Sequence, residues 1–220
     1  MILMAAWLFP IFLFAQEKKH ETFLFENFEK GIAMYTNGKQ VFSFFNYDVR
    51  NGKILFMNDD VLMELANPDV VSYIRIDNRF FVHIKGDTFY ERIPAGNSNL
   101  FVNWKYQFLS KGKDAAYGVS SHATSATSVS IIEEYSISYS GNFHEMKSNE
   151  KFSIVNKSKY YVSINGKFKN FNSAKSFIKL FKQNEKEISE YIKIEKIDFN
   201  DFDDLIKVVS FASQFVSMDN

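Results

Sequence analysis

"FFNYDVRNGKILF", residues 44–56, sets an Asn-Gly pair between two short runs of aromatic and aliphatic residues. Asn-Gly is the pair that a type I′ hairpin turn asks for, because both central positions need a positive φ. A two-residue loop at Asn51-Gly52 pairs Val49 with Ile54 and Tyr47 with Phe56. Asn37-Gly38 repeats the signal one strand earlier, and the same rule pairs Met34 with Val41 and Ile32 with Ser43. The two turns converge on one face: Ile32, Met34, Val41, Phe45, Tyr47, Val49, Ile54 and Phe56. The other face, with Ala33, Tyr35, Phe42, Phe44, Leu55 and Met57, is apolar as well. It therefore calls for a cover, which a second sheet, a closing barrel wall or C-terminal helices can supply.

The strand pattern continues along the chain. In "VVSYIRIDNRFFVHIK", a three-residue loop over Asp77 to Arg79 aligns Ile74 and Ile76 with Phe80, Val82 and Ile84, which turns Phe81 and His83 away from the core. "DTFYERI" and "NLFVNWKYQFL" follow, joined by a turn at Pro94-Ala95-Gly96-Asn97. From Val129 on, "VSIIEEYSISYS", "EKFSIVN" and "KYYVSINGKFKNF" read as three or four more strands, with Asn165-Gly166 as another tight hairpin. From Ser173 the period changes to helical. Ser173 caps "AKSFIKLFKQ", "EKEISEYIKI" follows, and Asn200 caps "DFDDLIKVVSFASQF", whose first turn is acidic as a helix N-terminus prefers. The expected fold is α+β. An antiparallel β-meander spans 16–172, as a curved sheet, a sandwich or a partly open barrel. A short helical segment, 173–216, packs on it.

Residues 1–15 stand apart. "MILMAAWLFPIFLFA" is apolar throughout and turns abruptly polar at Gln16-Glu17-Lys18-Lys19. Its length suits a signal peptide cut after Ala15 better than a membrane span, which needs about 20 residues. An N-terminal anchor or a buried helix are the alternatives. No later segment is long and apolar enough to span a membrane, so the expected compartment is the periplasm, the outer envelope or the medium. The chain has no cysteine, which excludes a cysteine-linked lipid anchor, disulfides, a thiol nucleophile and thiolate zinc sites. Its 26 basic residues balance 26 acidic ones, without the surplus that phosphate neutralisation requires, so nucleic acid is not an expected partner.

The residue types that carry chemistry are thinly spread. The four histidines, His20, His83, His122 and His144, show no metal-ligand spacing, and neither a metal nor a cofactor is expected. "SKGKDAAYGVSSHATSATSVS", residues 110–130, holds Ser120 and His122, weak candidates for a nucleophile and base. The stretch lacks a G-x-S-x-G elbow, and neighbours on an extended chain aim apart. A solvated connector or a polar edge strand explains it as well. Glu133 and Glu134 lie within a strand pattern, so one carboxylate points inward, and buried carboxylates can mark sites. Trp104 and Tyr106 share one face of a strand, and with Phe81 and His83 they are weak ligand-binding candidates. The 25 Phe outnumber 11 Tyr and 2 Trp, a balance that favours core filling over ligand platforms.

The segments "LFAQ", "FFNYDVRNGKILF", "FYERI" and "INGKFKNFNSAKSFIKLF" resemble secreted protein families of the Bacteroidota that have no assigned activity. The resemblance implies export and no reaction. The residues then favour a non-enzymatic envelope or interaction protein, whose partner is another envelope protein. The alternatives are a binder of an apolar small molecule held between sheet and helices, and a hydrolase.

Overall fold

The structure is a computed structural model that describes residues 22–59, 61–110 and 152–216. The strands are β1 (Glu29–Tyr35), β2 (Gln40–Asp48), β3 (Lys53–Asn58), β4 (Val61–Glu64), β5 (Val71–Ile76), β6 (Arg79–Lys85), β7 (Thr88–Ala95), β8 (Ser98–Asn103), β9 (Tyr106–Ser110), β10 (Phe152–Asn156), β11 (Lys159–Ile164) and β12 (Lys167–Phe171). Ten of them form one antiparallel sheet in the order β12-β11-β8-β7-β6-β5-β1-β2-β3-β4, while β9 and β10 pair with each other. The helices α1 (Ala174–Ile178), α2 (Glu185–Ile194) and α3 (Phe202–Ala212) follow. The fold is α+β, and the sheet is open, ending at β12 and β4.

The sheet is strongly curved. The loop between β2 and β3 folds back over its inner face, where the Phe89 N–H donates to the Gly52 carbonyl (2.9 Å) and the Tyr106 N–H to that of Val49 (2.9 Å). Glycine is required at 52, which has φ +72° and where a Cβ would come within 3.0 Å of the Thr88 side chain. Tyr47 reaches across the curl and donates its hydroxyl proton to the Phe89 carbonyl (2.9 Å). Inside lies a core of Ala33, Phe45, Tyr47, Val49, Ile54, Ile74, Ile76, Phe81 and Phe89. The far end of the same face, with Leu100, Val102, Val162 and Phe171, is covered by Phe177, Ile188, Leu205, Val208 and Val209 of the helices.

Three turn readings are corrected. Of the Asn-Gly pairs, only Asn165-Gly166 has positive φ at both residues (49° and 67°) and closes a two-residue loop, with Ile164 opposite Lys167. At Asn37-Gly38 the loop has three residues: Ala33 pairs with Val41 and Ile32 with Phe42. This one-residue slip puts Ala33, not Ile32 or Met34, on the inner face with Phe45. The Asn37 side chain accepts the Lys39 N–H and stabilises the wider turn. At Asn51-Gly52 the loop has four residues, and Tyr47 lies opposite Ile54, Phe45 opposite Phe56. The cause is Asp48, whose carboxylate accepts from the Arg50 N–H, the Arg50 guanidinium and the Asn51 amide. Val49 is thereby freed to pair with Thr22 and Tyr106.

The third correction concerns β5 and β6. Their loop is the two-residue Asp77-Asn78, with Ile76 opposite Arg79 and Ile74 opposite Phe81. Phe81 is 0% exposed and sits at the centre of the inner core; it does not point outward. The three-residue loop avoids setting Arg75 against Phe80, a polar–apolar pairing, yet that is the pairing the sheet adopts, and His83 lies on the same inner side as Phe81, opposite Phe89. Ser173 caps α1, and its hydroxyl and that of Ser176 form a reciprocal capping box. α3 is capped by Asp201, one residue beyond Asn200, through the Asp204 N–H.

Candidate functional site

Two arrangements gather charged and aromatic side chains, one on each face of the sheet. On the inner face, Arg79 of β6 meets Glu91 of β7. Its Nε donates to Oε1 at 2.6 Å, and a terminal nitrogen pairs with Oε2. The Trp104 Nε1–H donates to the same Oε2 at 2.6 Å. Glu91 is only 5% exposed, so its carboxylate is held by three N–H donors instead of water. The guanidinium lies 5.0 Å from the Phe25 ring centroid, 5.9 Å from that of Phe81 and 5.7 Å from that of Trp104. The other ring face of Trp104 meets Phe202 of α3 at 5.2 Å. This cluster joins the curl to the helical layer. Held by these three donors, the carboxylate acts as a structural joint.

The sequence candidates distribute as follows. Phe81 and Trp104 come together around Arg79, and Tyr106 packs on the same core. The chain breaks between β8 and β9 at Trp104, where the strand leaves the main sheet. His83 lies further along β6 with its Nδ1 3.2 Å from Asp69 and its Nε2 against the Gly86 carbonyl. Both ring nitrogens are engaged, and the ring edge meets Phe89 at 6.3 Å. Ser120, His122, Glu133 and Glu134 lie outside the described residues, as do His20 and His144. Among the described residues, no three His, Asp or Glu side chains gather as metal ligands would.

Neither Arg79 nor Glu91 stands out in the sequence, since Arg79 follows the turn residues Asp77-Asn78 and Glu91 is next to Arg92. Only the register of β6 on β7 brings them face to face. The space between sheet and helices is filled by Phe171, Phe177, Phe181 and their aliphatic neighbours. Two shallow concavities lie outside that packing. One, of about 420 Å³, is bounded by Gly96, Tyr191, Lys207, Ser210 and Phe211, and opens broadly to solvent. The other runs along the exposed side of α2.

The outer, convex face carries a different pattern. Following the register across eight strands gives one row: Phe42, Ile32, Arg75, Phe80, Arg92, Phe101, Tyr161 and Asn170. Cations and aromatics stack along it. The Arg92 guanidinium lies 5.5 Å above Phe80, and the Lys85 ammonium 5.3 Å above Tyr161. Tyr161 meets Tyr90 edge-on, and burial there pushes its hydroxyl pKa up. On the neighbouring line Lys30 is opposite Phe44. Glu64 on this side is paired with Lys53 at 3.2 Å, and Asp77 lies next to Lys30, its N–H donating to the Lys30 carbonyl at 3.1 Å. Lys30, Arg75 and Arg92 have no ion-pair partner among the described residues.

The row ends in exposed phenylalanine. Phe42 is 74% exposed and Phe44 is 47%, a rare condition for side chains of this size and polarity. Neither ring stacks on another among the described residues. Met57 and Leu62, half-buried on the adjacent strands, extend the apolar surface around Phe44. No family model, no curated protein and no solved structure matches the chain.

Proposed function

We propose that this is an exported, non-enzymatic protein that acts by binding a component of the cell envelope, and that the outer face of the sheet is its contact surface. The observation that carries the reading is the contrast between the faces. On the inner face Arg79 and Glu91 satisfy one another, whereas the outer face exposes Phe42 and Phe44 beside Lys30 and Arg75, which have no ion-pair partner among the described residues. Burying such a surface on a partner is favourable for both kinds of group, since it removes apolar area from water and places an anion against unpaired cations. Export rests on the apolar run of residues 1–15.

The test is retention of envelope material on the immobilised exported form. Wild type is expected to retain a defined component that the Phe42→Ser, Arg92→Glu double variant loses, with both proteins unfolding at the same urea concentration. Equal retention by the two would overturn the reading. So would hydrolysis of an ester or glycoside that disappears in a His122→Ala, Glu134→Ala variant.

A further inference from the structure

We infer that Phe42 and Phe44, backed by Lys30 and Arg75, seat the protein on the surface of an anionic phospholipid bilayer. The inference rests on the outer face being the binding face and names its partner. The two phenylalanines are at alternate positions of β2, so both project from the same side of the sheet. The register puts Lys30 on the adjacent strand beside Phe44, and Arg75 one strand further from Phe42, beyond Ile32. At about 4.8 Å per strand, the cations stand roughly 5 and 10 Å to the side of the rings.

That geometry matches an interface in which rings enter the acyl boundary while cations stay level with the phosphates. Phenylalanine has no polar handle with which to read a sugar or a base, and these rings are open to solvent. Hydrocarbon is the partner that rewards both properties. The cations, without an ion-pair partner among the described residues, supply the charge complement to an anionic headgroup layer.

The experiment is co-sedimentation of the exported form with vesicles of equal parts phosphatidylcholine and phosphatidylglycerol, and with vesicles of phosphatidylcholine alone. Binding is expected to the anionic vesicles, to fall with added salt, and to be much weaker on the neutral ones. Phe42→Ser with Phe44→Ser should lose about tenfold or more in affinity for the anionic vesicles. Lys30→Glu with Arg75→Glu should erase the preference for them, about fivefold per cation. Circular dichroism and urea midpoints equal to wild type show that the variants are folded.

Protein left in the supernatant with anionic vesicles overturns the inference, as does equal binding by the phenylalanine variant. Displacement by soluble polygalacturonate that ignores Phe42 and Phe44 would do the same, marking a plain polyanion site. If vesicles fail but these variants still lose the retained envelope component, the lipid assignment falls and the outer-face reading stands. If they change neither assay, both fall.

Discussion

The inner face of one sheet is buried in two ways, and the two ends have different chemistry. At the β8–β11–β12 end three short helices cover it, and the core there is aliphatic and aromatic, with the buried Ser213 hydroxyl at its edge bonded to the Asn97 N–H and the Ser210 carbonyl. At the β1–β7 end the sheet covers itself by curling, and its interior includes Asn46, Asp48, Glu91 and the Tyr47 hydroxyl. A helix satisfies its own backbone hydrogen bonds, so it can present a wholly apolar stripe. A strand or loop folded over another sheet brings unpaired backbone groups with it. Asn46 shows the consequence: its amide donates to the Phe25 and Asn27 carbonyls, and its oxygen accepts from Phe25. The polar interior of the curl is the condition for closing a sheet on itself without a helix.

That contrast can be broken at either end. Phe177→Ala empties the centre of the helical layer, where the ring meets Phe171 at 4.9 Å and Phe181 at 5.2 Å. The expected loss is about 3–5 kcal/mol by urea unfolding, with hydrogen exchange rising in α1 to α3 before β5 to β7. Simultaneous exchange of both ends would show that the two cores are one cooperative unit. Glu91→Ala strikes the joint and leaves the Arg79 guanidinium against aromatic rings without its counter-charge. A loss of about 3 kcal/mol is expected, and Arg79→Met with Glu91→Leu should recover most of it. A single-variant cost under about 1 kcal/mol would mean the cluster does not hold the ends together.

The smallest effect concerns the curl alone. Tyr47→Phe deprives the Phe89 and Trp104 carbonyls of a donor and should cost about 1–2 kcal/mol. It also has a pH signature. Burial, and secondarily the charges of Tyr90, Asp48 and Glu91, push the Tyr47 pKa well above the ordinary 10.0 of a phenol. The neutral hydroxyl is thus favoured in the fold, so its contribution is complete below pH 10 and is lost as the unfolded chain ionises above it. Denaturation curves for wild type should fall away in that alkaline range, and the Tyr47→Phe curve should fall less steeply. Parallel curves would remove Tyr47 from the explanation.

Much of the fold is legible in the sequence because alternation and turn dipeptides are local. The neighbouring strands within each hairpin, the turn at Asn165-Gly166 and the Ser173 cap follow from residues within a few positions of one another, whereas the pairings of β1 with β5 and β8 with β11 do not. Register failed where a side chain intervened: Asp48 widened one turn and Asn37 another, and neither effect is visible in a two-residue rule. Phe81 is misplaced for a related reason, since setting Arg75 opposite Phe80 looks unfavourable until both are seen to share the outer face, where cations and rings alternate. The outer face was the least legible. Its row of Phe42, Arg75, Phe80 and Arg92 draws on four strands, and no window along the chain contains it.

The sequence by itself determined that this chain builds an antiparallel sheet with a helical tail, because hydrophobic period and turn chemistry act over a few residues. It also determined that thiol chemistry plays no part. Only the tertiary structure decided which face lies inside, where the sheet curls, and which charges find partners. Those outcomes depend on contacts between residues tens of positions apart, such as the 42 between Tyr47 and Phe89. A one-residue change of register reverses a strand, and long-range hydrogen bonds choose between the two settings.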